Sequence, residues 1–122
     1  MVVLVDTSVW IDHLRTGDPG LTRLLGRAEV LAHDWVILGT LRDRAGVLGL
    51  LSQLPRAPVA SAAEVLTLID RHGLAGAGIG YVDAQLLASG KLAGARVWSR
   101  DRRLAAAAAR LELSHPSLDP ST

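Results

Sequence analysis

The sequence predicts an α/β fold in layers: a short, mostly parallel central sheet flanked by helices, formed by residues 1–113, with a loose tail at 114–122. Three observations predict it. Val2 to Val5 form a continuous Val-rich apolar run, the pattern of a strand buried on both faces. Ala95 to Trp98 form a second candidate strand late in the chain. The apolar spacing between and after these runs is helical, so strands alternate with helices and favour parallel pairing. A length of 122 residues suits one domain, and the chain shows no internal repeat and no clear linker.

The elements follow in order. Asp6, Thr7 and Ser8 stand directly after the first strand and can cap a helix running through Val9, Trp10, Ile11 and Leu14. Gly17 to Gly20 read as a turn, and Leu21, Leu24 and Leu25 as one face of a second helix, with Arg23 and Arg27 on others. Val30 to Val36 fit either strand or helix. From Ile37 to Leu51 the spacing suggests one or two helices with a break near Gly46. Pro55 and Pro58 bracket a loop, and Val59 with Ala60 could form a very short strand. Ser61 and Glu64 make a capping box for a helix that buries Val65, Leu66, Leu68 and Ile69 and ends at His72 and Gly73. After the connection marked by Gly76, Gly78 and Gly80, a helix runs from about Val82 to Leu92. The last helix starts at Ser99 and Asp101 and ends near Leu113.

Composition removes several chemistries. There is no Cys, so disulfides, thiolate metal sites and Cys nucleophiles are excluded. A bound metal would rest on oxygen or His ligands, which points to hard ions such as Mg²⁺ or Mn²⁺. His13, His33, His72 and His115 are scattered without zinc-ligand spacing, and Ser8 lacks a Gly-x-Ser-x-Gly elbow. A net charge of +1 does not by itself mark a nucleic-acid binder. The opening segment lacks a basic region, so it does not read as a signal peptide. No apolar run reaches membrane-spanning length, and the cytoplasm is the expected location.

Three acids stand at equivalent places. Asp6 follows the first strand, Asp101 follows the late strand, and Asp83 sits in the first turn of the helix after the Gly-rich connection. The strands of a parallel sheet share one C-terminal edge, where ligands bind, so Asp6 and Asp101 are expected to converge and Asp83 can join them. Two such charges 5 Å apart repel by about 3 kcal/mol at an effective dielectric near 20. A divalent cation relieves that repulsion and can activate water against a phosphate. The competing reading is that each Asp merely caps a helix. Lys91, Arg96, Arg100, Arg102 and Arg103 cluster in sequence around Asp101, a patch suited either to RNA phosphates or to a solvated face.

The wording of three segments is also familiar. Val3–Ile11 (VLVDTSVWI) resembles the opening of PIN-domain toxins of the VapC family, Gly78–Ser89 (GIGYVDAQLLAS) their central acidic motif, and Val97–Leu104 (VWSRDRRL) their last one. The resemblance covers nearly the whole chain. It implies a PIN-like three-layer fold and a toxin component of a type II toxin–antitoxin system. The activity it implies is a ribonuclease using Mg²⁺ or Mn²⁺, usually dimeric and neutralised by a cognate antitoxin. By the same match, Asp6, Asp83 and Asp101 carry the metal and the chemistry, and Ser8 and Ser99 are secondary site residues; the clustered positive charge beside Asp101, rather than the match, makes Arg100, Arg102 and Arg103 the RNA-facing candidates.

One departure stands out. Relatives follow the Ile37 position with Gly-Glu, whose acid joins the metal site, whereas here Ile37 leads to Leu38 and Gly39 and the chain is about four residues shorter. Asp43, one turn further on, is a candidate replacement. The alternative function is therefore a catalytically impaired PIN-fold module that binds an antitoxin or RNA. A receiver-like phosphoacceptor domain using Asp6 lacks the Lys it would need after a late strand.

Overall fold

The computed structural model describes residues 1–39, 49 and 51–115. Three parallel strands form its sheet: β1 (Val3–Val5) lies in the middle, with β2 (Val30–Leu31) on one side and β3 (Arg96–Trp98) on the other. All three residues of β1 are fully buried, which requires helices over both faces of the sheet. Around it run α1 (Thr7–Thr16), α2 (Pro19–Gly26), α3 (Asp34–Gly39), α4 (Ala62–His72), α5 (Tyr81–Ala93) and α6 (Arg102–Arg110). This is the α/β architecture expected from the sequence.

Local chemistry explains the helix boundaries. Pro19 opens α2 inside the expected turn, because its fixed φ suits a first helical position, and the Asp18 carboxylate accepts from the Leu21 amide. The capping box of α4 is present in both directions, Ser61 to Glu64 and back. Gly73, in the left-handed region at φ 61°, stops that helix. The ambiguous segment splits, giving β2 and then α3. Val59 and Ala60 do not form a strand. Arg56 makes the parallel bridge instead, to Ala32, and Ala60 is held by a side chain of α5. The docked chain also runs past residue 113: Ser114 bridges Val97, and His115 stacks on Trp98 at 5.2 Å. The expected helices between Thr40 and Leu48, and Asp43 with them, lie outside the described residues, as do residues 116–122. Among the described residues no helix is long and apolar enough to cross a membrane.

Helix α5 packs against β1 and β3. Its approach to β3 is close at Gly90, where an added Cβ would stand 2.7 Å from a Val97 methyl carbon. The same helix carries a buried polar chain. The Trp35 amide donates to His33 Nδ1, so His33 Nε2 carries the proton and donates to Ser89 Oγ at 2.9 Å. Ser89 donates to Gln85 Oε1, and Gln85 exchanges two hydrogen bonds with the backbone of Ala60. Every link has a partner, so the chain ties α3, α5 and the segment before α4 together without a stranded polar group.

His33 is fully buried, and burial lowers its pKa from 6.5 despite the opposing pull of Asp34 and the Gln85 contact. As pH falls through 6.5 the unfolded chain takes up a proton that the folded chain refuses, so stability falls until the lowered native value is passed. Wild-type protein should therefore lose melting temperature between pH 7.5 and 5.5 more steeply than His33→Gln, measured by calorimetry at constant ionic strength. Parallel curves for the two proteins would show that His33 does not drive this acid sensitivity.

Candidate metal centre

The β1–β3 register sets the site. Leu4 pairs with Val97 and Val5 with Trp98, and the Asp6 amide donates to the Trp98 carbonyl at 2.9 Å. Asp6 and Ser99 therefore leave the sheet side by side at its C-terminal edge.

Asp6 occupies the N-cap position of α1, yet its carboxylate makes no capping hydrogen bond. Its Oδ2 instead accepts from Ser8 Oγ and from Ser99 Oγ, both at 2.8 Å. Each hydroxyl in turn accepts a backbone amide, Arg100 N on Ser8 and Asp101 N on Ser99. The two serines are thus positioned as acceptor–donor relays that fix Asp6. Asp101 does act as a cap: its Oδ1 accepts from the Arg103 and Leu104 amides and starts α6. Asp83 reaches back through Oδ2 to the Gly80 amide at 3.4 Å.

A common pattern emerges. One oxygen of each carboxylate is held by the chain, while Asp6 Oδ1, Asp83 Oδ1 and Asp101 Oδ2 make no hydrogen bond or ion pair to a described residue. Burial raises the pKa of Asp83, and the negative charges of Asp6 and Asp101 raise it further against the lowering effect of the Gly80 amide. Asp83 thus lies within electrostatic reach of both Asp6 and Asp101, which stand on other elements. Among the described residues, however, no three Asp, Glu, His or Cys side chains are gathered closely enough to hold a metal ion as they stand.

The basic patch separates. Arg96 begins β3, at the opposite end of the sheet, and its guanidinium donates to the carbonyls of Glu112 and Ser114. Lys91 lines a groove between α4 and α5 with Leu68, Arg71, Ala88 and Leu92. Arg100 is paired with Asp12 at 2.9 Å and with Asp18. Arg103 lies along Gly78, where φ is +74° and a Cβ would meet its side chain at 3.0 Å. Arg102 is exposed and forms no hydrogen bond or ion pair with a described residue. Sequence reading missed Asp12 and Asp18. Neither carries a local signal for Arg100, which lies more than eighty positions away, although Asp18 before Pro19 is legible as a cap.

No protein-family model matches the chain. Ribonuclease VapC32 of Mycobacterium tuberculosis, from strains CDC 1551 / Oshkosh and ATCC 25618 / H37Rv, is 50% identical to it over 113 residues, covering 88% of this chain and 91% of the relative. The chain belongs to the VapC family. Among solved structures, PAE2754 from Pyrobaculum aerophilum is similar at a TM-score of 0.58 and 16% identity, over 87% of this chain and 78% of that one. The likeness concerns the fold alone, and it agrees with a PIN-like arrangement.

In this VapC-family chain the donor type, though not the spacing of the described residues, suits a hard divalent cation. The unengaged donors are carboxylate oxygens, and the repulsion that Asp6 and Asp101 exert on Asp83 is the kind a cation offsets. Ionising Asp83 costs stability, because its folded-state pKa is raised: the cost develops as pH climbs above the ordinary value of 3.8 and is complete above the folded value. In chelator at pH 7.5, Asp83→Asn should therefore melt higher than wild type. The gain should vanish at acid pH, where the wild-type carboxyl is itself neutral. With millimolar Mn²⁺ at pH 7.5 the order should reverse, since a cation that binds only the folded state raises wild-type stability. A variant that melts lower than wild type in chelator would show that the acids do not strain one another.

Proposed function

We propose that this protein is the toxin component of a type II toxin–antitoxin system, a metal-dependent endoribonuclease that hydrolyses RNA phosphodiester bonds. The observation that carries this reading is the pattern of half-anchored carboxylates: Asp6, Asp83 and Asp101 each have one oxygen held by the chain and one without a protein partner among the described residues. The VapC32 relative, named a ribonuclease, supports the same activity.

Asp6, Asp83 and Asp101 would hold Mg²⁺ or Mn²⁺. Such an ion, when bound, polarises a phosphoryl oxygen and lowers the pKa of a water ligand. The chain's own contribution is placement. Ser8 and Ser99 fix the Asp6 carboxylate, and the first turn of α6 fixes that of Asp101. Arg102 and Arg103, at the start of α6, supply positive charge for RNA phosphates. The reading includes a cognate antitoxin partner, a homodimer and a cytoplasmic location, consistent with family membership.

The test is cleavage of RNA by purified protein in Mg²⁺, in Mn²⁺ and in chelator. Asp6→Asn and Asp101→Asn should each lose at least about a hundredfold in rate, since removing even an outlying partner of a metal ligand typically costs ten- to a hundredfold. Arg102→Ala with Arg103→Ala should weaken RNA binding and reduce its salt slope by about two, one for each arginine withdrawn from a phosphate. Cleavage that persists unchanged in chelator, or in Asp6→Asn, would sink the proposal.

The second reading, an impaired PIN-fold module that binds an antitoxin or RNA, is favoured by the absence of a gathered metal-ligand cluster among the described residues and by Leu38-Gly39 standing where the family resemblance implies Gly-Glu. Inserting Gly-Glu-Leu-Ala after Ile37 should raise Mn²⁺ affinity and cleavage together if an acid is what the site lacks. The same insertion with Gln controls for length. Equal behaviour of the two insertions dismisses the missing acid, and Asp43→Asn then tests the local substitute.

A further inference from the structure

The β3–α6 connection delivers Ser99 and Asp101 to the site, and between them stands a residue whose side chain is engaged elsewhere. Arg100 Nε pairs with Asp12 Oδ2 of α1 at 2.9 Å, and Nη2 pairs with Asp18 Oδ2, the carboxylate that caps α2 through its other oxygen. Its guanidinium carbon lies 6.0 Å from the centroid of the Trp98 ring, at the outer range of a cation–π contact. Its backbone amide donates to Ser8 Oγ, one of the two hydroxyls on Asp6.

We propose that Arg100 is a positioning residue: by clamping Asp12 and Asp18 it fixes the 99–101 connection, and through that the Ser8, Ser99 and Asp101 groups that shape the acidic site. The proposal rests on the metal-site reading above. It also reassigns Arg100, which the sequence places with the RNA-facing arginines. A guanidinium already divided between two carboxylates has little charge left for a phosphate.

Asp6 Oδ2, Ser8, the Arg100 amide, Ser99 and the Asp101 amide form a continuous hydrogen-bonded circuit. Ser8 already joins that circuit to the first turn of α1, but no bond of the circuit reaches the far part of α1 or the α2 cap. The Arg100 clamp does, joining positions 12, 18 and 100. Arg100 and Asp12 are both partly exposed, with 40% and 46% of their side-chain surface accessible, so the pair adds little to global stability. Its effect is local order, which is what a ligand-holding loop needs.

The experiment compares wild type with Arg100→Gln, Arg100→Lys and Asp18→Asn in three measurements. In calorimetric titration with Mn²⁺, Arg100→Gln should bind about tenfold more weakly, the lower end of losses from outlying metal-site partners, with Arg100→Lys recovering part of the affinity. In RNA binding without cleavage, the salt slope of Arg100→Gln should match wild type. In chelator, amide hydrogen exchange at residues 99–101 should accelerate in Arg100→Gln and in Asp18→Asn. A reduced salt slope with unchanged Mn²⁺ affinity would make Arg100 an RNA contact and overturn the proposal. Unchanged affinity and unchanged exchange would reduce the clamp to a surface ion pair and overturn it equally. If wild type itself shows no Mn²⁺ binding, the metal-site reading fails, while the exchange measurement still decides whether Arg100 holds the connection.

Discussion

The parallel pairing of β1 with β3 is the constraint on which the site depends. Asp6 and Ser99 stand 93 positions apart in the chain, and hydrogen bonds between short strands bring them into contact. A slip of one residue in that register would turn Val97 and Trp98 to opposite faces and carry Ser99 away from the Asp6 carboxylate. The register is secured by burial: every residue of β1 is fully enclosed, and Gly90 lets α5 approach Val97 closely. Packing and chemistry are therefore coupled, since the helix that presses on β3 is also the one that carries Asp83.

Much of this was legible in the sequence. The Val-rich run of β1, the capping box at Ser61 and Glu64, the places of Asp6 and Asp101 after strands and that of Asp83 in the first turn of a helix are local patterns, and local patterns survive folding. Segment 30–36 was not legible because it contains two short elements back to back, each below the length at which periodicity can be read. Val59 and Ala60 failed as a strand because a side chain, Gln85, took the backbone groups that a ladder would have used. The basic residues clustered in sequence but spread over three regions, since β3 separates Arg96 from Arg100 and α5 carries Lys91 to another groove. Capping was the simpler explanation for all three acids. It holds for Asp101 and is absent for Asp6, a distinction that only side-chain geometry makes.

The site also illustrates how stability and function oppose one another. A carboxyl whose ionisation is disfavoured by burial and by two like charges costs the fold stability when it ionises. The buried chain from His33 to Gln85 is the opposite kind of polar feature. Its donors and acceptors are matched internally, so it specifies how three segments meet without calling for any ligand. The two networks lie on the same helix, with Asp83 at its start and Gln85 and Ser89 on its buried side. Helix α5 is thereby tied down on its buried side and carries in its first turn an acid whose ionisation is disfavoured.

The outer margins of the sheet have a further consequence. The outward-facing backbone of β3 is met by residues 113 and 114, through Val97 N and the Leu113 carbonyl, and that of β2 by residues 55–57, through both polar groups of Ala32. A three-stranded parallel sheet with bare margins would offer a template for strand addition and fibre growth. Here short irregular segments occupy both margins, so another polypeptide cannot extend the sheet without first displacing them.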